Sequence, residues 1–178
     1  MSRRFVLLTG CSGGGKSTLL EALEERGFAT TPEPGRRIVS DELAGCGKAL
    51  PWVNMKAFAQ RAVEIAKRDL EVAEQRGGIV FFDRGLIDAA VALAHCGGPT
   101  LEETLGERQA YETRVFVVPP WKPLFANDAQ RRHSFEEAVQ EHRRIEQALD
   151  AFGYITTALP KVSVRERAEI VLRDCGAL

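Results

Sequence analysis

Cysteine and histidine are scarce in this chain, with four and three copies among 178 residues. Cys11, Cys46, Cys96 and Cys175 stand far apart and form no C-x-x-C pair, so their spacing offers neither a zinc site nor a disulfide framework. Net charge is missing too. The 24 basic and 25 acidic side chains leave −1 at neutral pH, and a chain so balanced has no field to draw nucleic acid nonspecifically. Any anion site must be built locally. No apolar segment approaches the ~20 residues that span a bilayer, and only Met1 to Arg4 precede the first apolar run. The expectation is therefore a cytoplasmic protein with no signal peptide and no membrane partner. There is no internal repeat, low-complexity tract or linker, and a hydrophobic content of 44% is enough for a single domain over residues 1–178 with one full core.

Glycine is plentiful, and four glycines fall in one octapeptide, Gly10-Cys11-Ser12-Gly13-Gly14-Gly15-Lys16-Ser17, which matches G-x-x-x-x-G-K-[ST] without deviation. Before it, Phe5-Val6-Leu7-Leu8-Thr9 reads as a buried strand. After it, Leu19, Leu20 and Leu23 recur at helical spacing opposite Glu21, Glu24, Glu25 and Arg26. Strand, glycine loop and helix are the context this motif requires. The glycines Gly10, Gly13, Gly14 and Gly15 let the backbone turn the N–H groups from Gly13 to Lys16 toward phosphate oxygens, with Ser12 counted in the same nucleotide-binding loop, and the helix N-terminus adds its positive dipole end. Lys16 is then expected to bridge the β- and γ-phosphates, the Ser17 hydroxyl to ligate Mg²⁺, and Thr18 to lie beside the α-phosphate. ATP and Mg²⁺ are the expected cofactors. Cys11 sits where nearby amides and the helix dipole could lower a thiol pKa, so its alkylation is expected to reduce ATP binding; a small inert residue facing the core is the alternative.

Further along, extended and helical patterns alternate. A second strand ends near Ala29 to Thr31, before the breaker run Pro32-Glu33-Pro34-Gly35. Arg36 to Leu43 predicts a helix stopped by Gly45-Cys46-Gly47. Asn54 can cap a long helix bearing Phe58, Ala62, Ile65, Ala66, Leu70 and Ala73, which Gly77-Gly78 ends. Ile79 to Phe82 is a solid apolar run leading into Asp83-Arg84. Helices are predicted over Leu86 to Cys96 and Leu101 to Ala110, and a buried strand over Thr113 to Val118. Ser134-Phe135-Glu136-Glu137 fits a capping box that opens a long helix, followed by a strand over Tyr154 to Leu159 and a last helix through Val164, Ala168, Val171, Leu172 and Cys175. Five strands separated by helices, mostly without in/out alternation, predict an α/β fold with a parallel sheet covered on both faces.

These features resemble small P-loop kinases of the nucleoside and nucleotide kinase kind, and especially small bacterial P-loop proteins described as ATPases or kinases of the ribosylnicotinamide kinase type. The residues that carry the resemblance are Gly10 to Ser17, Thr31-Pro32-Glu33-Pro34-Gly35-Arg36-Arg37, Phe81-Phe82-Asp83-Arg84-Gly85, Val118-Pro119-Pro120-Trp121, and Arg131-Arg132 ahead of Phe135-Glu136-Glu137. The resemblance implies a P-loop NTPase three-layer sandwich with strand order 2-3-1-4-5 and a short lid at about 122–133.

Each marker has a chemical reading beside a plain one. Asp83, at a strand's C-terminal end, is placed to organise Mg²⁺ or accept a proton, or else to cap the next helix. Arg84 neutralises a substrate carboxylate or phosphate, as its resemblance to the Asp-Arg pair of such kinases implies, or else pairs with a neighbour. Glu33, held between two prolines, resembles the Glu-Pro of nucleoside and thymidylate kinases and suits a base; a solvent-exposed turn glutamate is the alternative. Arg36 and Arg37 open a helix at its unfavourable end for cations, so a substrate phosphate or Glu33 should compensate them. Arg131 and Arg132 are placed to stabilise charge on the transferring phosphoryl group, or else form a solvated basic helix start. Trp52, Phe58 and Trp121 are candidates for lining a planar acceptor site, and His142 reads as a core-edge residue. The function expected is an ATP-Mg²⁺-dependent phosphotransferase acting on a small acceptor, nucleoside-like compounds among them. An ATPase without a small acceptor and a nucleotide-dependent switch are the competing readings.

Overall fold

A computed structural model of the chain describes residues 3–106, 109–125 and 134–178. The first strand, β1 (Arg4–Gly10), is buried from Val6 to its end, and it runs into α1 (Lys16–Glu24) through the glycine loop. Then follow β2 (Ala29–Thr31), α2 (Pro34–Ala44), α3 (Met55–Glu74), β3 (Ile79–Asp83), α4 (Leu86–His95), α5 (Leu101–Leu105), β4 (Arg114–Val118), α6 (Phe135–Ala151), β5 (Ile155–Ala158) and α7 (Val164–Asp174). All the strands are parallel, in the order β2-β3-β1-β4-β5, as the resemblance implied.

Continuous apolar strands are what a sheet covered on both faces needs. Leu7, Val80, Phe82, Val115 and Val117 face α3, α4 and α6 and pack with Ala59, Ala62, Ile87, Ile145 and Leu149. Their strand neighbours Val6, Leu8, Phe81, Phe116 and Val118 face the other way, onto Leu19 and Leu23 of α1 and Ala168, Val171 and Leu172 of α7. The result is a three-layer sandwich.

The caps fall where expected. The Asn54 side chain accepts from the Ala57 amide at 3.0 Å, and Ser134 and Glu137 exchange the two bonds of a capping box at 3.1 and 2.6 Å. Two helix boundaries differ from expectation. α2 begins at Pro34, two residues before Arg36, because a proline suits the first helical turn, where its missing N–H is no loss. α5 stops at Leu105 because Gly106 enters the left-handed region at φ 68°, which terminates a helix.

This register builds one crevice. Leu8 lies between Asp83 of β3 and Phe116 of β4, so β1 is the strand on whose two sides the chain winds in opposite directions. Ligands of open parallel sheets collect beyond the C-terminal ends of the strands at such a switch point. The phosphate loop, Asp83 and Arg84 all emerge there.

Candidate active site

The loop is seated against β4. The Cys11 amide donates to the Val118 carbonyl at 2.9 Å, and a Cβ on Gly10, which sits at φ 110°, would run into the Val118 backbone. Gly15, at φ 80°, is the N-cap of α1. Lys16 extends back under the loop, where its ammonium donates to the Cys11 carbonyl at 2.7 Å and the Gly10 carbonyl at 3.3 Å. Burial lowers its pKa, and the nearby Arg84 charge lowers it further. Thr18, in the first turn of α1, is exposed.

Ser17, on the first turn of α1, donates its hydroxyl to Asp83 Oδ2 at 2.7 Å. The second oxygen, Asp83 Oδ1, is buried without a hydrogen-bond partner. Burial, followed by the Glu33 charge, pushes the Asp83 carboxyl up to about 6, against the pull of Lys16 and the Ser17 hydrogen bond. A buried, unsatisfied carboxylate oxygen beside a serine hydroxyl is a donor set that fits a hard divalent cation. Asp83 does not cap the next helix: the Gly85 amide at the start of α4 donates instead to Asp88, at 3.0 Å.

Arg84 is the one described non-glycine residue at positive φ, at 59°, a conformation that needs support from its surroundings. Its side chain supplies that support by joining three elements. The guanidinium donates to both oxygens of Glu141 on α6 at 2.7 and 3.4 Å, and lies 3.5 Å from Glu33 before α2 and 3.8 Å from Asp88 on α4. Burial alone would lower its pKa, but Glu141, Glu33 and Asp88 outweigh burial and hold it well above the usual value. Asp88 also accepts from the Thr9 hydroxyl, and burial raises its pKa despite the Arg84 charge. The cations at the start of α2 are compensated within the protein. Arg36 lies 3.6 Å from Glu33, and Arg37 pairs with Asp69 of α3.

A cavity of about 760 Å³ opens beside Ser12 and runs between α2, α3, α4 and α6. Trp52 and Phe58 line it, as do Glu33, Arg84, Asp88 and Glu141. Trp121 lies elsewhere: its ring stands 5.8 Å from the Arg167 guanidinium. Arg167, on α7, donates to the Gly14 carbonyl at 2.9 Å. His142 is buried at the core edge with Nε2 3.3 Å from Glu146. Cys11 is completely buried, so the expectation that a reagent reaches its thiol in the native loop does not hold.

Lys16, Ser17, Asp83, Glu33 and Arg84 therefore come together around Gly10, Ser12, Gly13, Gly14 and Gly15. Arg131 and Arg132 lie outside the described residues, as does most of the expected lid, whose described part is a 3₁₀ turn at Lys122–Leu124. Sequence reading missed Asp88, Glu141 and Arg167. Two of these carry a signal in hindsight. Asp88 is the only carboxylate in a helix otherwise apolar as far as His95, and Arg167 falls on the apolar stripe of 164, 168, 171 and 172 at three- and four-residue steps. Glu141 sits among ordinary helix-surface charges and has no such mark.

A family profile described as an AAA domain (AAA_28) matches residues 5–167. The chain belongs to this family. A curated relative, a nucleotide-binding protein of Granulibacter bethesdensis, is 50% identical over 42 residues. That match spans 24% of this AAA-domain chain and only 13% of the relative's length. Among solved structures, deoxyadenosine kinase from M. mycoides with bound dATP superposes with a TM-score of 0.67 at 12% identity, over 97% of this chain and 99% of that one. NadR in complex with NAD and AMP-PNP superposes with a TM-score of 0.69 at 19% identity, over 97% of this chain and 49% of that one. These likenesses establish the small P-loop kinase fold. Among the described residues, no helix is long and apolar enough to cross a membrane.

Proposed function

We propose that this AAA-domain protein is an ATP-Mg²⁺-dependent phosphotransferase that moves the γ-phosphoryl group to a small acceptor. The observation that carries the reading is the Ser17–Asp83 pair, with one buried unsatisfied carboxylate oxygen, at the head of a phosphate loop that opens into the cavity bearing Glu33. A binding module would need the loop; it would not need a second cavity beside the loop with a carboxylate, Glu33, among its lining residues. The dATP and AMP-PNP named with the neighbouring structures agree with a nucleotide in the loop.

In this reading the loop amides and Lys16 hold the triphosphate, and Lys16 exchanges its two carbonyl partners for phosphate oxygens. Mg²⁺ held by Ser17 and Asp83 would neutralise charge on the β- and γ-phosphates. Glu33 accepts the proton of the acceptor hydroxyl as that oxygen bonds to the γ-phosphorus and the bond to the β-phosphate oxygen breaks. Arg84 fixes the Glu33 carboxylate. Residues 1–178 act as one domain with a lid at about 122–133, in which Arg131 and Arg132 stabilise the transferring group. Replacing those two arginines is expected to lower turnover far more than ATP affinity; equal losses would mark them as nucleotide-docking residues only. The four free cysteines agree with a reducing, cytoplasmic setting.

The deciding experiment is an ATP-consumption screen with nucleosides, nucleotides and ribosylated pyridines, run beside an acceptor-free blank. Acceptor-dependent ADP release is the expected result. Equal release with and without every acceptor would make the protein an ATPase.

A further inference from the structure

The phosphate loop meets a second cation besides Lys16. Arg167 lies near the start of α7, and only 3% of it is exposed. One guanidinium nitrogen donates to the Gly14 carbonyl at 2.9 Å. The Trp121 ring stands 5.8 Å from the same guanidinium, close enough for a cation–π attraction to help hold it in place. Among the described residues no carboxylate pairs with it: burial lowers its pKa, no acid raises it, and its Nε is buried without a hydrogen-bond partner. A covered guanidinium is ordinarily matched by an acid. Here the described protein supplies none.

The bonded carbonyl belongs to the peptide that joins Gly14 to Gly15. That peptide is trans, so its carbonyl and its N–H point to opposite sides. Holding the Gly14 oxygen toward α7 therefore turns the Gly15 N–H away from α7. The Gly14 amide donates to the Cys11 carbonyl at 3.4 Å, whereas the Gly15 N–H has no backbone acceptor among the described residues. The fit is close on both sides. A Cβ on Gly14 would stand 2.3 Å from Val118 Cγ1, and one on Gly15 would stand 3.0 Å from an Arg167 nitrogen, so the peptide is gripped between β4 and α7. Position 15 thus needs a glycine twice over, for its φ of 80° and for the guanidinium beside it.

We propose that Arg167 is a positioning residue for the polyphosphate: it turns and polarises the Gly14–Gly15 peptide so that the Gly15 N–H donates to a phosphate oxygen, and the bound polyphosphate is the anion that balances the guanidinium. This rests on the nucleotide-binding half of the phosphotransferase reading and does not depend on the acceptor. A cation on the carbonyl strengthens the donor at the other end of the same peptide, because hydrogen bonds in series polarise one another. Lys16 acts on the phosphates directly. Arg167 acts through the backbone and touches no substrate.

The test uses the full chain with two ligands, ATP-Mg²⁺ and inorganic tripolyphosphate, which has the phosphates without base or sugar. Arg167→Gln removes the charge and is too short to reach the carbonyl, whereas Arg167→Lys keeps the charge and a donor. By calorimetry the Gln variant should bind both ligands about tenfold or more weakly, and the Lys variant should stay within about threefold of the unaltered protein. In ¹⁵N-labelled protein the Gly15 amide proton should move downfield when tripolyphosphate is added. That movement should shrink in Arg167→Gln while those of Gly13 and Lys16 persist, which a purely structural role would not produce. A Gly15 amide that tripolyphosphate leaves unmoved in the unaltered protein overturns the inference without recourse to any variant. So does a Lys variant as weak as the Gln variant, or a Gln variant that loses thermal stability and no affinity. A loss seen with ATP and not with tripolyphosphate would assign Arg167 to the base and overturn it as well. If the unaltered protein binds neither ligand, the nucleotide reading falls together with this inference; an acceptor screen flat at the blank level would leave the inference standing.

Discussion

Lys16 is a buried cation whose hydrogen bonds go to carbonyls of its own loop. Such a group is costly to desolvate and returns little to the empty fold, so its value lies in the ligand. Lys16→Ala should weaken ATP-Mg²⁺ binding by roughly tenfold or more and abolish turnover, while the thermal midpoint of the nucleotide-free protein stays level or rises. Unchanged affinity by calorimetry would remove the foundation of the reading. Glu33 and Asp83 divide along the same lines. Glu33 lines the cavity and touches Arg84, whereas Asp83 is held by Ser17 at the loop. Glu33→Gln should suppress transfer and leave background hydrolysis and Mg²⁺ dependence nearly unchanged, and Asp83→Asn should raise the Mg²⁺ needed for either reaction. Identical metal dependence in the two variants would show this division of labour to be wrong. At this scale the sequence was readable where a motif fixes geometry, as from Gly10 to Ser17. It was not readable where burial decides: Cys11 lies in the loop motif, yet it is completely buried, which no local pattern announces.

Among the elements, α7 shows how a helix distant in sequence can stiffen the loop. Arg167 breaks the apolar stripe of α7 and is almost fully buried. Its guanidinium bonds to the Gly14 carbonyl and lies against the position a Gly15 side chain would take. Burial lowers its pKa, so its place on the stripe costs stability that the loop contact must offset. Arg167→Met keeps the length and apolar stem but removes the donor, which should cost about 1–3 kcal/mol and weaken nucleotide binding. If the stability falls with no change in nucleotide affinity, Arg167 is only a structural residue. Helix caps such as Asn54 and Ser134 were legible because capping is local chemistry. The end of α5 was misplaced because Glu107-Arg108-Gln109-Ala110 are all good helix formers, and propensity carries no information on which glycine adopts positive φ. Glu33, three residues from Arg36, was one of the two expected compensators and is its partner; the partner of Arg37 was missed because Asp69 lies 32 residues away and nothing local points to it.

At the scale of the molecule, two chambers meet at the C-terminal edge of β1. The alternation of buried strands and helices made the sheet readable, and the phosphate motif placed one chamber. The other is assembled from α2, α3, α4 and α6, and its defining contact, Arg84 to Glu141, spans 57 residues with no periodic signal to announce it. The two tryptophans divide between these regions: Trp52 lines the cavity, and Trp121 stands over Arg167 behind the phosphate loop. Indole emission responds to nearby charge, so each ring should report its own chamber. In Trp52→Phe, where Trp121 alone emits, ATP-Mg²⁺ should change the fluorescence and an acceptor without nucleotide should not. In Trp121→Phe the dependence should reverse, with the acceptor producing the main change through Trp52. Arg84 and Glu33 line the cavity and lie near enough to act on the Lys16 charge, so a modest second-ligand effect on each ring is expected once both ligands are bound. If nucleotide alone changes both rings to the same extent, the two chambers are not separate binding compartments, and the cavity beside α3 belongs to the nucleotide rather than to an acceptor.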